Sequence, residues 1–193
     1  MVANHSMIRF PPLVKRANNL AEQMNMECGC SPESGRLLQL LTSQLQSGVV
    51  GEVSTGCGVA AAWIVSALSS GTSFFTVEHD PVAAAAVRSL LGSSLNVRVV
   101  QGDWREFLHT WRFGLLYAGS KSAREDEPEL LLQSLRIGGI IVLDGLTPRD
   151  RKPLDSLGNP DAIRDFWLSD SRLLATEILV SPQEAVILAT LSG

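Results

Sequence analysis

Four carboxylates fall where short apolar runs end. Glu52 closes Val49-Val50-Gly51, Glu78 closes Ser73-Phe74-Phe75-Thr76-Val77, Asp103 follows residues 97–100, and Asp144 follows Ile140-Ile141-Val142-Leu143. Between the first two acids lies Ser54-Thr55-Gly56-Cys57-Gly58, and an alanine-rich run begins at once. Gly56 and Gly58 permit positive φ and a close approach of backbone to a ligand. The free N–H groups of a helix starting there favour a carboxylate or another anion. Glu52 gains nothing in a phosphate cradle but suits a ligand carrying an ammonium group. No Gly-Lys-Ser/Thr follows, which excludes a P-loop. The dinucleotide spacing is met through Gly56, Gly58 and Ala61, so an NAD reading stays open.

An acid closing the second strand stands where a ribose diol would lie, and two hydroxyls can donate to the one Glu78 carboxylate. His79, beside it, is placed to touch the same ligand. Asp103 could accept from an exocyclic amine while Trp104 lies against a purine face. A nucleoside joined to a group bearing both ammonium and carboxylate would satisfy Glu78, Asp103, Glu52 and the helix start together. S-adenosylmethionine is such a molecule, whereas NAD would bring a pyrophosphate to the turn.

These residues need a scaffold that lines up strand ends. Two helices come first: an apolar stripe over 13–26, then a helix opened by Ser31-Pro32-Glu33, with an N-cap, a proline at the first position and an acid in the first turn. Strands are expected at 49–52, 72–78, 97–100, 113–118 and 140–143, with helices between them. The last of those helices runs 125–136 and is broken by Gly138-Gly139. A polar loop over 147–160, a helix over 161–168 and a hairpin of 173–180 with 184–191 close the chain. The order predicts an α/β, doubly wound, Rossmann-like sheet of about seven strands with a C-terminal antiparallel hairpin, binding its ligand beyond the strand ends at the switch point. One domain is expected over 1–193, a helical cap of 1–47 on a core of 48–193.

Composition narrows the function classes. Of 193 residues, 45% are hydrophobic and only 19% charged, which argues against disorder. A net charge of -4 and the absence of a basic run exclude broad nucleic-acid binding. Cys28, Cys30 and Cys57 suit a reducing compartment, and Cys28-Gly29-Cys30 is too tightly spaced for a usual zinc pair. Without a signal pattern or an apolar run long enough to span a membrane, a cytoplasmic protein is expected.

The chain resembles the O-methyltransferase family that includes caffeoyl-CoA and catechol O-methyltransferases and their bacterial relatives. Cys30-Ser31-Pro32-Glu33-Ser34-Gly35-Arg36-Leu37-Leu38 resembles the family's helix motif ahead of the first strand. Glu52-Val53-Ser54-Thr55-Gly56-Cys57-Gly58 resembles its E-I-G-T-x-T-G loop, with Ser54 where glycine is usual. Leu135-Arg136-Ile137-Gly138-Gly139-Ile140-Ile141-Val142-Leu143-Asp144 resembles its L-x-x-G-G-x-x-x-x-D segment, and Phe166-Trp167 with the final hairpin also fits. The resemblance implies S-adenosylmethionine as cofactor. Glu52, Ser54, Thr55, Gly56, Gly58 and Ala60 would surround its methionine end, Glu78 with His79 its ribose, and Asp103 with Trp104 its adenine. It also implies a small-molecule acceptor and a homodimer.

Family members carry D-A-D-K after the fourth strand and D-N after the fifth, whose first Asp, last Asp and Asn hold a divalent metal. This chain reads Tyr117-Ala118-Gly119-Ser120-Lys121 and Asp144-Gly145, so one ligand of three is kept and no working metal site is expected. Lys121 and Asp144 are then the candidate catalytic groups, Lys121 as a base once burial lowers its pKa. Transfer to a hydroxyl depends mainly on alignment, so a metal is not required. The competing expectation is a protein that binds the cofactor without turnover.

Overall fold

The computed structural model describes residues 8–27, 29–92, 94–149 and 161–193. Helix α1 (Pro12–Met24) places Pro12 at its first turn, where a missing N–H costs nothing. It ends on Asn25 in the left-handed conformation. Helix α2 (Pro32–Gln44) is capped by Ser31, whose hydroxyl accepts from the Ser34 N–H at 3.2 Å. The alternating units follow: β1 (Gly48–Val53), α3 (Val59–Val65), β2 (Thr72–Glu78), α4 (Pro81–Leu91), β3 (Val97–Gln101), α5 (Trp104–Leu108) and β4 (Phe113–Ala118). Then come α6 (Lys121–Glu125), α7 (Pro128–Ser134), β5 (Leu135–Leu146), α8 (Ala162–Ser169), β6 (Leu173–Ser181) and β7 (Glu184–Leu191).

The seven strands form one sheet in the order β3-β2-β1-β4-β5-β7-β6. The first five are parallel, and β7 runs antiparallel between β5 and β6. Strand order reverses between β1 and β4, which is the expected switch point. One face is covered by α1 to α4, where Val14, Leu38, Trp63 and Val87 pack with Phe74 and Leu115. The other is covered by α5, α7 and α8, where Phe107, Leu131 and Trp167 pack with Val53, Leu116 and Ile141.

The predicted helix over 125–136 is two short helices and the start of a strand. Pro128 cannot continue α6 and instead opens α7. Strand β5 already begins at Leu135, opposite Phe113, and its register then shifts so that Ile140 faces Leu115. Gly138, at φ 72°, makes the bulge that absorbs the extra residues. Gly138-Gly139 therefore sits inside the strand and does not precede it. The polar segment 150–160, together with His5 and Cys28, lies outside the described residues.

Candidate functional site

At the switch point the ends of β1, β2 and β4 stand side by side, with Val53 between Val77 and Ala118. Two hollows open there. One, of about 150 Å³, is walled by Glu52, Thr55, Ala60, Tyr117, Gly119 and Ser120. The other, of about 320 Å³, is walled by Glu78, His79, Asp103, Trp104 and Arg105. Ser54 belongs to both and joins them. Their combined space falls in the range of about 300–1,000 Å³ usual for small-molecule sites. A third hollow, of about 410 Å³, adjoins the first beneath α1 and shares Glu27, Cys30 and Val59 with it.

The turn after β1 is left-handed at three positions, Ser54 (φ 62°), Gly56 (φ 58°) and Gly58 (φ 78°). For a serine that conformation costs energy, of the kind stored at ligand sites. Its hydroxyl lies 3.1 Å from that of Ser120, across the crevice. At Gly58 a Cβ would meet both methyls of Val87 at 3.1 Å, so α3 can start there only on a glycine.

Glu52 is 1% exposed. The Thr76 hydroxyl donates to its Oε2 at 2.6 Å, Thr76 is in turn bonded to the Thr55 hydroxyl, and the Ala61 N–H donates to the same carboxylate. Burial pushes the Glu52 carboxyl up to about 8; the Thr76 hydroxyl opposes this, and the nearby charge of Glu78 adds to it. An ammonium placed in this hollow would restore the carboxylate form. One of the N–H groups at the start of α3, that of Ala61, thus serves Glu52.

Glu78 accepts from the Gly56 N–H (2.7 Å) through one oxygen and from the Asp80 N–H (2.9 Å) through the other. Asp103 caps α5, accepting from the Arg105 N–H at 2.8 Å. Trp104 departs from expectation: it is 8% exposed, packed in the core, and its ring carries the Arg105 guanidinium at 4.6 Å. The cation–π contact leaves little flat indole surface for a purine. The structure thus groups Glu52, Thr55, Gly56 and Ala60 in one hollow and Glu78, His79, Asp103 and Trp104 in the next. The three acids share one crevice but not one chamber.

Lys121 is exposed at the first residue of α6, without the burial that a base role there calls for. Asp144 is fully buried. Its Oδ1 accepts from the Ser34 hydroxyl (2.7 Å) and the Gly145 N–H (2.8 Å), and its Oδ2 from the Tyr117 hydroxyl (2.8 Å). Glu184, at the start of β7, also bonds Asp144; burial raises its carboxyl, with the charge of Asp144 adding. Burial likewise raises the Tyr117 phenol, helped by Cys30 and Asp144. These groups were missed because nothing in the sequence says that Tyr117 and Ser34 turn toward one carboxylate.

The residues at the ends of β4 and β5 do not fit a divalent ion. Ala118 and Gly145 offer no side-chain oxygen, and the Asp144 carboxylate is turned into the fold and taken up by three donors. Among the described residues no three His, Cys, Asp or Glu side chains are disposed to hold a metal.

Comparison with known proteins agrees with this geometry. Residues 52–145 match the Methyltransferase domain family. A catechol O-methyltransferase of Niastella koreensis is 26% identical over 162 residues, covering 79% of this chain and 73% of the relative. The fold matches that of the O-methyltransferase TomG from Streptomyces achromogenes, solved with SAM, at TM-score 0.80 and 21% identity, covering 97% of this chain and 92% of that one. An O-methyltransferase from Bacillus cereus, solved with SAH, superposes at TM-score 0.77 and 20% identity over 95% and 93% of the two chains. In its sheet order, closing hairpin and glycine turn after Glu52 the chain is thus similar to O-methyltransferases, with a methyltransferase domain over residues 52–145.

Proposed function

We propose that the protein transfers the methyl group of S-adenosylmethionine to a hydroxyl of a small molecule, without a divalent metal. The observation that carries this is the buried Glu52 carboxyl beneath the left-handed turn, with the Glu78 carboxylate one hollow away. The first would hold the ammonium of the methionine end, the second the ribose diol. Ser54, Thr55, Gly56, Gly58 and Ala60 would line the methionine end, and His79, Asp103 and the edge of Trp104 the adenine end. In the transfer, an oxygen lone pair of the acceptor attacks the methyl carbon and the carbon–sulfur bond breaks. Its electron pair returns to sulfur, leaving a neutral thioether, and the hydroxyl proton leaves to a base. Solvent at the open crevice can take that proton, since Lys121, next to the wall residue Ser120, is exposed and lacks the burial that a base role calls for. Asp144 we assign a positioning role, holding Tyr117 and Ser34 beneath the crevice.

The two leading helices would cap the crevice, residues 1–47 on a core of 48–193. The acidic net charge supports a protein that does not bind nucleic acid, and the cysteine usage supports a cytoplasmic one. No helix among the described residues is long and apolar enough to cross a membrane. A homodimer would cover the exposed leucines of α2 and β6.

Calorimetric titration with S-adenosylhomocysteine, followed by a methyl-transfer assay over a panel of phenols with EDTA or magnesium, tests the reading. Micromolar binding and metal-independent transfer are expected. Failure to bind S-adenosylhomocysteine, or tight binding of NADH in its place, would overturn it.

A further inference from the structure

Trp104 offers a purine little flat surface, and the residue after it is the cause. Arg105 lines the same hollow as Glu78, His79 and Asp103. Its guanidinium stands over the Trp104 ring, 4.6 Å from the centroid. Three carboxylates hold its edge: Nε donates to Glu127, Nη2 lies 3.3 Å from Asp126, and Nη1 lies 3.7 Å from Asp103. Asp126 and Glu127 fall between α6 and α7, while Asp103 caps α5, so the group is fixed from two sides. These acids balance its charge. With one face on the indole and its edge taken, the guanidinium still has its outer face to give, and the side chain is 38% exposed.

We propose that the Arg105 guanidinium is the platform on which the purine of the cofactor lies, so that base, guanidinium and indole stack in that order. This rests on the methyltransferase reading and deepens it. A guanidinium is planar and delocalised and stacks on aromatic faces. Stacking gains from flat contact, so the balancing acids do not remove it, and they keep the plane from turning. The ion pairs themselves are exposed and contribute little to the fold, so the side chain can be replaced without unfolding the chain.

Calorimetric titration of two ligands tests the assignment: S-adenosylhomocysteine, and methylthioadenosine, which keeps the nucleoside and lacks the amino-acid end. Both should bind Arg105→Ala about tenfold more weakly than the unaltered protein, and in step, because the lost contact lies on the base they share. A purine lying on Trp104 gives the opposite sign, since removing the guanidinium uncovers the indole and tightens binding. Arg105→Lys, which keeps a charge near Asp126 and Glu127 but not the plane, should lose most of the same affinity, and it decides the matter should Arg105→Ala not fold. Unchanged or tighter binding in these variants would overturn the assignment. So would a loss confined to S-adenosylhomocysteine, or methylthioadenosine that does not bind the unaltered protein. Each of those results, with S-adenosylhomocysteine bound by the unaltered protein, would leave the cofactor reading standing. Failure of the unaltered protein to bind S-adenosylhomocysteine would sink both.

Discussion

A carboxyl closed off from water, as Glu52 is, keeps its proton well past the ordinary value near 4.5. Because burial pushes it up to about 8, the ligand-free protein holds Glu52 neutral at pH 6 to 7. An incoming ammonium needs the carboxylate, so binding must release that proton. S-adenosylhomocysteine affinity is therefore expected to rise with pH between 6 and 8, by up to about tenfold per unit, and to level off above 8. Glu52→Gln should bind more weakly and without that slope, and calorimetry at three pH values separates the two cases. The stability sign runs the other way. A folded-state pKa raised above the unfolded one means the native form binds more protons, so ligand-free stability falls as pH rises from about 4.5 through 8, and the cofactor offsets the loss. Gly58 is decided at the same scale. With φ 78° and Val87 methyls at 3.1 Å, Gly58→Ala should cost about 1–3 kcal/mol in urea unfolding. A stability change under 0.5 kcal/mol would show that the turn relaxes freely.

At the scale of elements, one buried arginine holds together the chain that leads from β5 to β6. Arg164 is paired with both Glu177 oxygens at 2.8 Å, with Asp161, and with the Thr147 carbonyl at 2.6 Å. It thus ties α8 to β6 and to residue 147. Arg164→Met leaves the half-buried Glu177 and Asp161 carboxylates without this partner, a loss of about 1–3 kcal/mol, measured as a lower thermal midpoint. The crevice on the far side of β1 is untouched by these bonds, so S-adenosylhomocysteine affinity of the folded fraction should hold. The same scale shows what the sequence could reveal. Strand ends were readable because β-branched and aromatic runs stop at acids, and the cap at Ser31 was readable because Pro32 follows it. The 125–136 segment was not readable, because Gly138 looks like a stop signal whereas its positive φ serves a bulge within β5. Thr76 was hidden too: in a strand it reads as a β-branched filler, and only the register decides that its hydroxyl meets Glu52.

For the whole molecule, the sheet leaves one edge exposed and apolar. β6 is the last strand, and on it Leu174 is 70% and Ile178 37% exposed. Their partners across the hairpin, Thr190 and Val186, belong to the face covered by α2, where Leu40 is 59% exposed. An open strand with apolar side chains invites pairing with another chain unless something covers it. A second copy would do so by a two-fold contact in which the same patch meets itself. Light scattering behind a sizing column should then give about twice the 20.8 kDa chain mass at micromolar concentration. Leu174→Glu, which puts like charges face to face across the two-fold, should give a monomer with an unchanged far-ultraviolet spectrum. Because the crevice lies at the β1–β4 switch point and not at the β6 edge, that monomer should bind S-adenosylhomocysteine as the unaltered protein does. A mass of one chain for the unaltered protein at tens of micromolar would show that the leucines of α2 and β6 stand open to water.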